Sequence, residues 1–437
     1  MEQVVPGLRV YKFGGASVKD AAGILNVCRI VQETALGQPL LVVVSAMGKT
    51  TNALEDIFDL AWRGEDYLGQ LGALEAYHKQ TGDELGEHLS KAGLGDELAG
   101  DLAYSFSILR QKLSELMPTG NYDEGYDQII SLGEHFSSSL VAYALSEVMN
   151  LDEVSWCSST SLIQTDTTWR EGRVNWSATK QAIRNEASRV VLNGSTRTIV
   201  TQGFLGGTAD GRTTTLGREG SDYSAAIFAY CLGAESVTIW KDVPGLLNAD
   251  PRIFADTVLY PEISYQETIE MAYYGASVIH PKTLQPLAER GIPLYVKSFL
   301  DPRAPGTVVH DCRHPALAPA FIRKAEQCLL SFQSKDFAFI SEENLAVIFG
   351  ALAQARLKIN VMQNSAISFS VVTDYHEARV QLLLAALGGQ FSTHYNAGLT
   401  LFTIKNYDQA SLERLTAGRA LLLEQRTRST FQFLVRE

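Results

Sequence analysis

Four short segments carry residues whose types and spacing could handle phosphate and carboxylate groups. The first is Lys12-Phe13-Gly14-Gly15-Ala16-Ser17. Two glycines after a strand-like stretch let the backbone turn and approach a ligand closely. Their amides, a following helix N-terminus and the Lys12 ammonium would together cradle a phosphate. An ordinary strand–turn–helix with a surface lysine accounts for the same residues equally well. The second segment is Ser45-Ala46-Met47-Gly48-Lys49-Thr50-Thr51-Asn52. Its Gly48-Lys49-Thr50 imitates a P-loop, but that fingerprint needs a glycine at position 43, where Val43 stands. What remains is a hydroxyl-rich loop at the carboxyl end of a strand, where open α/β sheets bind ligands, or a plain helix cap at Thr51 or Asn52.

The third segment, Gly211 to Ser224 (GRTTTLGREGSDYS), is the most specific. A threonine-rich strand runs into a Gly-x-x-Gly turn and then a helix beginning near Ser221-Asp222. Arg218 in that turn has the planar fork suited to a carboxylate, and a purely structural role for it is harder to assign. Asp222 reads either as a catalytic group or as an N-terminal helix partner. The fourth segment joins Trp240-Lys241-Asp242-Val243-Pro244-Gly245 to Asp250-Pro251-Arg252. It suits the rim of a nucleotide site, although Pro-Gly and Asp-Pro are also common turn formers.

The chain that must position these residues has 437 of them, enough for two or three domains. Its formal net charge of −12 disfavours a nucleic-acid partner, so any phosphate site must be local. Five cysteines (Cys28, Cys157, Cys231, Cys312, Cys328) are scattered without metal spacing and read as reduced thiols of a cytoplasmic protein. The N-terminus lacks the pattern of a signal peptide, and no apolar run approaches membrane-spanning length.

Strand (Leu8–Phe13), Gly-rich turn, helix (Ala21–Thr34) and buried strand (Pro39–Ser45) form a βαβ unit, which implies a parallel sheet. Helix is expected at Thr51–Arg63, in an insertion over about 65–125, at Asp127–Met149 and at Ser221–Leu232. Strands are expected at Arg197–Gln202, Ser236–Trp240 and Ile292–Val296, and His310–Pro319 reads as a linker. Beyond it, Gln327–Gln333, a helix around Leu345–Ala355 and strands near Ile359–Met362 and Ile367–Thr373 suggest a βαββαβ module, with a second copy beginning at Gly398.

Taken together, KFGGASV (Lys12–Val18), SAMGKTTN (Ser45–Asn52), ISLGEHFS (Ile130–Ser137), TQGFLG (Thr201–Gly206), GRTTTLGREGSDYSA (Gly211–Ala225), WKDVPG with DPR, and GASVIHPKTL (Gly275–Leu284) resemble the aspartate kinase family. The resemblance runs in order from Val10 to Val309. It implies an α/β amino-acid kinase fold, a mainly parallel open sheet between helices, in residues 1–309, followed by ferredoxin-like βαββαβ ACT-type modules in 320–437. It implies transfer of the ATP γ-phosphate to the side-chain carboxylate of L-aspartate, with Mg²⁺ accompanying the nucleotide. By position, Lys12, Gly14, Gly15 and Ser17 would hold phosphates, and Ser45 and Thr51 would line the junction of nucleotide and amino acid. Glu134 would take the aspartate amine and Arg218 its α-carboxylate, with Phe204 and Ser221 completing the pocket. Asp222 would organise the transfer centre, and Lys241, Asp242, Leu247, Arg252 and Ser277 would surround the nucleotide.

Against the family pattern, Ala16 stands for threonine, Glu219 for glycine, Lys241 for a small hydroxyl residue, Leu247 for tyrosine and Ser277 for a lysine whose place Lys282, one turn on, could take. The nucleotide end is therefore where this chain differs most. The tail resembles the two ACT modules that bind an end-product amino acid and dimerise, with Ser341–Asn344 departing from the usual ligand loop and the second copy lacking its last helix and strand. A homodimer or higher homo-oligomer is expected, with no membrane partner. Glutamate 5-kinase-like or carbamate-type activity, and a silent amino-acid sensor, are the competing functions. Glu134, Arg218 and the tail argue against the other kinases, and Lys12, Arg218 and Asp222 against the sensor.

Overall fold

The computed structural model describes residues 5–89, 94–149, 153–188, 197–276, 279–314, 317–335 and 338–437. They divide into two compact units, one of Met1–Leu246, Leu259–Ile269 and Val278–Arg313, the other of Leu247–Val258, Glu270–Ser277 and His314–Glu437.

Among the described residues the first unit contains ten strands: β1 (Arg9–Phe13), β2 (Leu40–Val44), β3 (Val154–Cys157), β4 (Thr198–Gln202), β5 (Leu205–Gly207), β6 (Thr213–Thr215), β7 (Ser236–Lys241), β8 (Glu262–Ser264), β9 (Leu294–Ser298) and β10 (Thr307–His310). Eight of them form one sheet in the order β3-β4-β2-β1-β7-β9-β10-β8, and β5 and β6 form a separate antiparallel ribbon. The sheet is parallel from β3 to β9, while β10 runs antiparallel to β9 and parallel to β8. All five residues of β2 (LLVVV) are buried, as an interior strand with helices on both faces requires. The stack of Phe13 on Trp240, ring centroids 6.0 Å apart, ties β1 to β7 at the sheet centre.

Because the central strands are parallel, their carboxyl ends and the loops that follow lie on one side, and every chemistry-bearing segment singled out in β1, β2, β4 and β7 emerges there. Helix Ala21–Ala35 starts at Asp20, whose carboxylate accepts a hydrogen bond from the Gly23 amide. The insertion folds as helices Leu68–Leu89 and Leu94–Ser114. The segment expected as a single helix over Asp127–Met149 is instead two, Tyr122–Ile130 and Leu132–Val148. Asn121 caps the first, and Gly133 lets the start of the second press against Ala46 and Thr50. Apolar spacing alone does not report such a break, because both halves keep their buried faces. The helix over Gly220–Leu232 and strands β4 and β7 follow the expected spans within a residue. The expected strand at Ile292–Val296 lies two residues later, after Pro293. Strands β3, β8 and β10 were not anticipated, being three to four residues long.

The second unit carries β11 (Ala320–Ser334), β12 (Ile359–Asn364), β13 (Ser368–Asp374), β14 (Phe391–Lys405), β15 (Leu423–Arg426) and β16 (Thr430–Val435). They form one antiparallel sheet in the order β12-β13-β11-β14-β16-β15. With helices Glu342–Gln354 and Glu377–Leu387, the run from β11 to β14 is a βαββαβ unit. β11 and β14 are long and bent, with register shifts between Lys324 and Leu329 and left-handed residues at Glu326 and Gly398. Beyond the bend, Ala320–Lys324 pairs with Leu401–Lys405, which next pairs with β16. The strand missing from the second copy is thus supplied from upstream, by the first half of β11. Residues 315 and 316 of the expected linker lie outside the described residues, and its first residue, His310, ends β10. Among the described residues no helix is long and apolar enough to cross a membrane.

Candidate active site

A cavity of about 540 Å³ opens at the carboxyl ends of the central strands of the first unit. Lys12, Gly15, Ser45, Thr51, Glu134, Phe204, Arg218, Ser221, Asp222 and Lys241 all line it, drawn from well-separated stretches of sequence. The close approach of the first two loops depends on Gly15, because a Cβ there would sit 2.6 Å from the Ala46 carbonyl oxygen. Arg218 projects from a turn whose neighbours are both left-handed, Gly217 at φ 76° and Glu219 at φ 53°. A side-chain residue at such a φ is uncommon. Six non-glycine residues with positive φ occur among those described, and three of them, Arg170, Phe204 and Glu219, border this cavity. Backbone strain of that kind persists where surrounding structure over-determines it.

The charges are concentrated. Lys12 Nζ lies 2.7 Å from one oxygen of Asp222, and Lys241 Nζ 3.5 Å from the other. Asp222 occupies the first turn of helix Gly220–Leu232. Burial alone would raise its carboxyl, but the two ammonium groups outweigh that and hold it below the usual carboxylate range. Glu134 behaves oppositely. It is fully buried in the first turn of helix Leu132–Val148, and burial pushes its carboxyl up to about 8, against the opposing pull of the Ala46 amide, its own amide and Lys12. Its Oε1 accepts from the Ala46 amide at 3.2 Å, while the buried Oε2 has no hydrogen-bond partner among the described residues.

The helical insertion braces the second loop. Tyr77 donates its hydroxyl to the Lys19 carbonyl, and its oxygen would lie 2.6 Å from a Cβ at Gly48. His78, wholly buried, has Nδ1 2.8 Å from the Leu74 carbonyl and Nε2 3.2 Å from the Thr50 hydroxyl. Burial drives its pKa down to about 4. A neutral ring that donates from Nδ1 then accepts from Thr50 at Nε2.

Three other bordering residues, Glu55, Tyr126 and Arg170, carry no family signal of their own in the sequence, and Thr215 belongs to the threonine-rich motif without having been singled out. The Arg170 guanidinium lies 4.0 Å over the Tyr126 ring, and Tyr126 donates to Glu55. Buried Asp127 accepts from the Arg170 amide at 2.9 Å and from the amide and hydroxyl of Thr215 at 3.0 and 2.8 Å. That triple acceptance fixes two bordering residues at once. Nothing local marked Asp127 out, since the same helix also carries Asp123 and Glu124.

Gly14 and Ser17 belong to the same turn as Gly15 but do not border the cavity, and Asp242 is exposed just past β7. Leu247 and Arg252 belong to the second unit, where Arg252 pairs with Asp250 at 2.7 Å. Ser277 lies outside the described residues. Lys282, its suggested substitute, is ion-paired with Glu171.

Residues 7–298 match the model of the Amino acid kinase family. The chain is 31% identical over 366 residues to lysine-sensitive aspartokinase 3 of Escherichia coli, covering 84% of this chain and 78% of that protein. It is 30% identical to a chloroplastic bifunctional aspartokinase/homoserine dehydrogenase of Zea mays over 89% of its own length but spans only 42% of that relative. Among solved structures, E. coli aspartokinase III in complex with aspartate and ADP (R-state) superposes with a TM-score of 0.82 at 27% identity, over 98% of this chain and 96% of the other. By motif order, fold and likeness over most of its length, the chain belongs to the amino acid kinase family, among its aspartokinases.

Proposed function

We propose that the chain is an ATP-dependent aspartate kinase, converting L-aspartate and ATP to 4-phospho-L-aspartate and ADP. The observation that carries this is the pairing, within one cavity, of a lysine–aspartate–lysine cluster with a buried carboxylate and an arginine-bearing turn. The cluster suits a phosphate end and the Glu134–Arg218 pair an amino-acid end.

Glu134 takes the substrate ammonium and Arg218 its α-carboxylate, with Phe204, Thr51 and Ser221 closing around the side chain. The side-chain carboxylate, with a pKa near ~3.9, is already ionised at neutral pH and attacks the γ-phosphorus without a general base. Repulsion between two anions is the obstacle. Lys12 and Lys241 screen it, helped by the Gly14–Gly15 amides, while Asp222 holds both ammonium groups in position between turnovers. Ser17, Ser45 and Asp242 complete the proposed nucleotide set. Clamping two reactants in line supplies much of the rate enhancement in phosphoryl transfer.

Mg²⁺ fits this donor set. It takes one or two carboxylates besides phosphate and water, and Glu219 borders the cavity with a buried Oε2 that lacks a hydrogen-bond partner among the described residues. Glu219 and Asp222 are the residues that would hold it, and the ion would supply neutralisation of phosphate charge. Residues 1–309 would be the catalytic region and 320–437 the ACT-like region that dimerises the chain and takes an end-product amino acid such as lysine or threonine. A cytoplasmic, biosynthetic setting follows from that reading.

The test is trapping of the acyl phosphate with hydroxylamine, using aspartate, glutamate and no-substrate controls. Aspartate-dependent hydroxamate is expected, and Arg218→Ala should remove most of it while nucleotide binding persists. Hydroxamate with glutamate alone, or near-normal turnover in Arg218→Ala, would refute the assignment.

A further inference from the structure

Three residues of three different donor types converge on the β8 edge of the large sheet, among elements that the proposed reaction does not use. Glu262 begins β8, His310 ends β10, and Cys312 follows two residues later. The parallel register of β8 and β10 sets Glu262 beside Val308 and Ser264 beside His310. Side chains alternate along a strand, so positions 308 and 310 lie on one face, the face to which Glu262 points, and the chain beyond β10 brings Cys312 to the same place. A carboxylate oxygen of Glu262, a ring nitrogen of His310 and the Cys312 sulfur all lie within 4.8 Å of one another. The His310 Nε2 to Glu262 Oε2 distance is 3.2 Å.

These separations have a chemical meaning. Tetrahedral zinc with bonds of about 2.0–2.3 Å requires its nitrogen, oxygen and sulfur donors to stand about 3.3–3.6 Å apart. The imidazole–carboxylate edge already meets that spacing. The third vertex, within 4.8 Å of the other two, needs a shift of at most about an ångström, within reach of Glu262, whose side chain is 54% exposed. The two strand-borne donors are held on a paired backbone, with β10 braced on its other side by β9. Cys312 is also the one cysteine of the five that is not buried. A hydrogen-bonded His–Glu pair by itself accounts for two of these residues and requires no thiol.

We propose that Glu262, His310 and Cys312 form a binding site for a borderline transition-metal ion, Zn²⁺ or Co²⁺, with water in the fourth position. Thiolate and imidazole donors select such ions over Mg²⁺ and Ca²⁺, which take oxygen alone. Binding converts the Cys312 thiol to thiolate and releases its proton to solvent. The bound ion links the edge strand β8 to β10 and to the chain leaving it.

The experiment titrates the metal-free, full-length chain with Co²⁺ in excess Mg²⁺ and records the absorption spectrum. One equivalent should produce the near-ultraviolet thiolate-to-cobalt charge-transfer band and the visible bands of a tetrahedral site, and Zn²⁺ should bleach both. Cys312→Ser should lose the charge-transfer band, and His310→Ala and Glu262→Gln should lose stoichiometric binding, each variant keeping the wild-type circular dichroism. Cys157→Ser, altering a buried thiol, should keep the spectrum. No charge-transfer band in the wild type, a band that survives in Cys312→Ser, or displacement of Co²⁺ by Mg²⁺ would overturn the proposal.

Discussion

If Glu134 receives the ammonium of aspartate, substrate binding must draw a proton off the enzyme. Burial holds this carboxyl near a pKa of about 8, so in the free enzyme at pH 7 about one molecule in eleven carries the charge that the ammonium requires. Apparent affinity scales with that fraction, so the dissociation constant for aspartate should fall about fivefold from pH 7 to pH 8 and level off by about pH 9. The sign follows from the raised pKa: the competent, ionised form gains population as pH rises. Calorimetry of aspartate binding in the presence of ADP, run in two buffers of different ionisation heat, should report about 0.9 proton released per aspartate at pH 7 and about half at pH 8. Glu134→Gln should bind weakly, without proton release, and with a flat profile. A wild-type profile flat from pH 7 to 8.5, or a slope that survives in Glu134→Gln, would refute the reasoning.

Two further outcomes follow from the interior. His78 is buried neutral with a pKa of about 4, against 6.5 for an unrestrained ring, so the unfolded chain binds its proton first and stability is lost as pH falls. Acidification from pH 7 to 4.5 should cost about 2.5 kcal/mol through this residue, read as a shift in urea midpoint that His78→Gln reduces. Equal acid sensitivity in both proteins would count against it. Phe13→Ala removes the ring stacked on Trp240 and should destabilise the first unit by about 3–5 kcal/mol, measured by chemical denaturation; a loss under about 1 kcal/mol would mean that β1 and β7 are held by other means.

The strongly periodic or wholly apolar elements were legible in the sequence. PLLVVVS read as an interior strand, and Ala21–Thr34 and Ser221–Leu232 read as helices, as they prove to be within a residue or so. Short edge strands such as Val154–Cys157 carry too few residues for alternation to register, and the break at Ser131 is dictated by packing of Gly133 against a distant loop. The cavity was legible where chemistry is concentrated in contiguous motifs, as in Leu216–Asp222. It was not legible at Arg170, Tyr126 and Glu55, which are brought together by Asp127 and by helix packing rather than by proximity in sequence. The raised pKa of Glu134 was likewise invisible, because burial is a property of the fold. The role of β11 in serving both lobes of the tail sheet depends on an irregularity at Glu326 that no local pattern signals.

That shared strand bears on how the tail is made. Ala320–Lys324 leaves the ribosome some eighty residues before its partner Leu401–Lys405, and the rings of Phe431 and Phe433 that cover this end follow later still. The unit therefore cannot mature lobe by lobe during synthesis. Ala320–Lys324 stays unpaired until β14 has been made, and removal of Thr430–Val435 is expected to leave Thr400–Lys405 as an open β-edge available for aggregation.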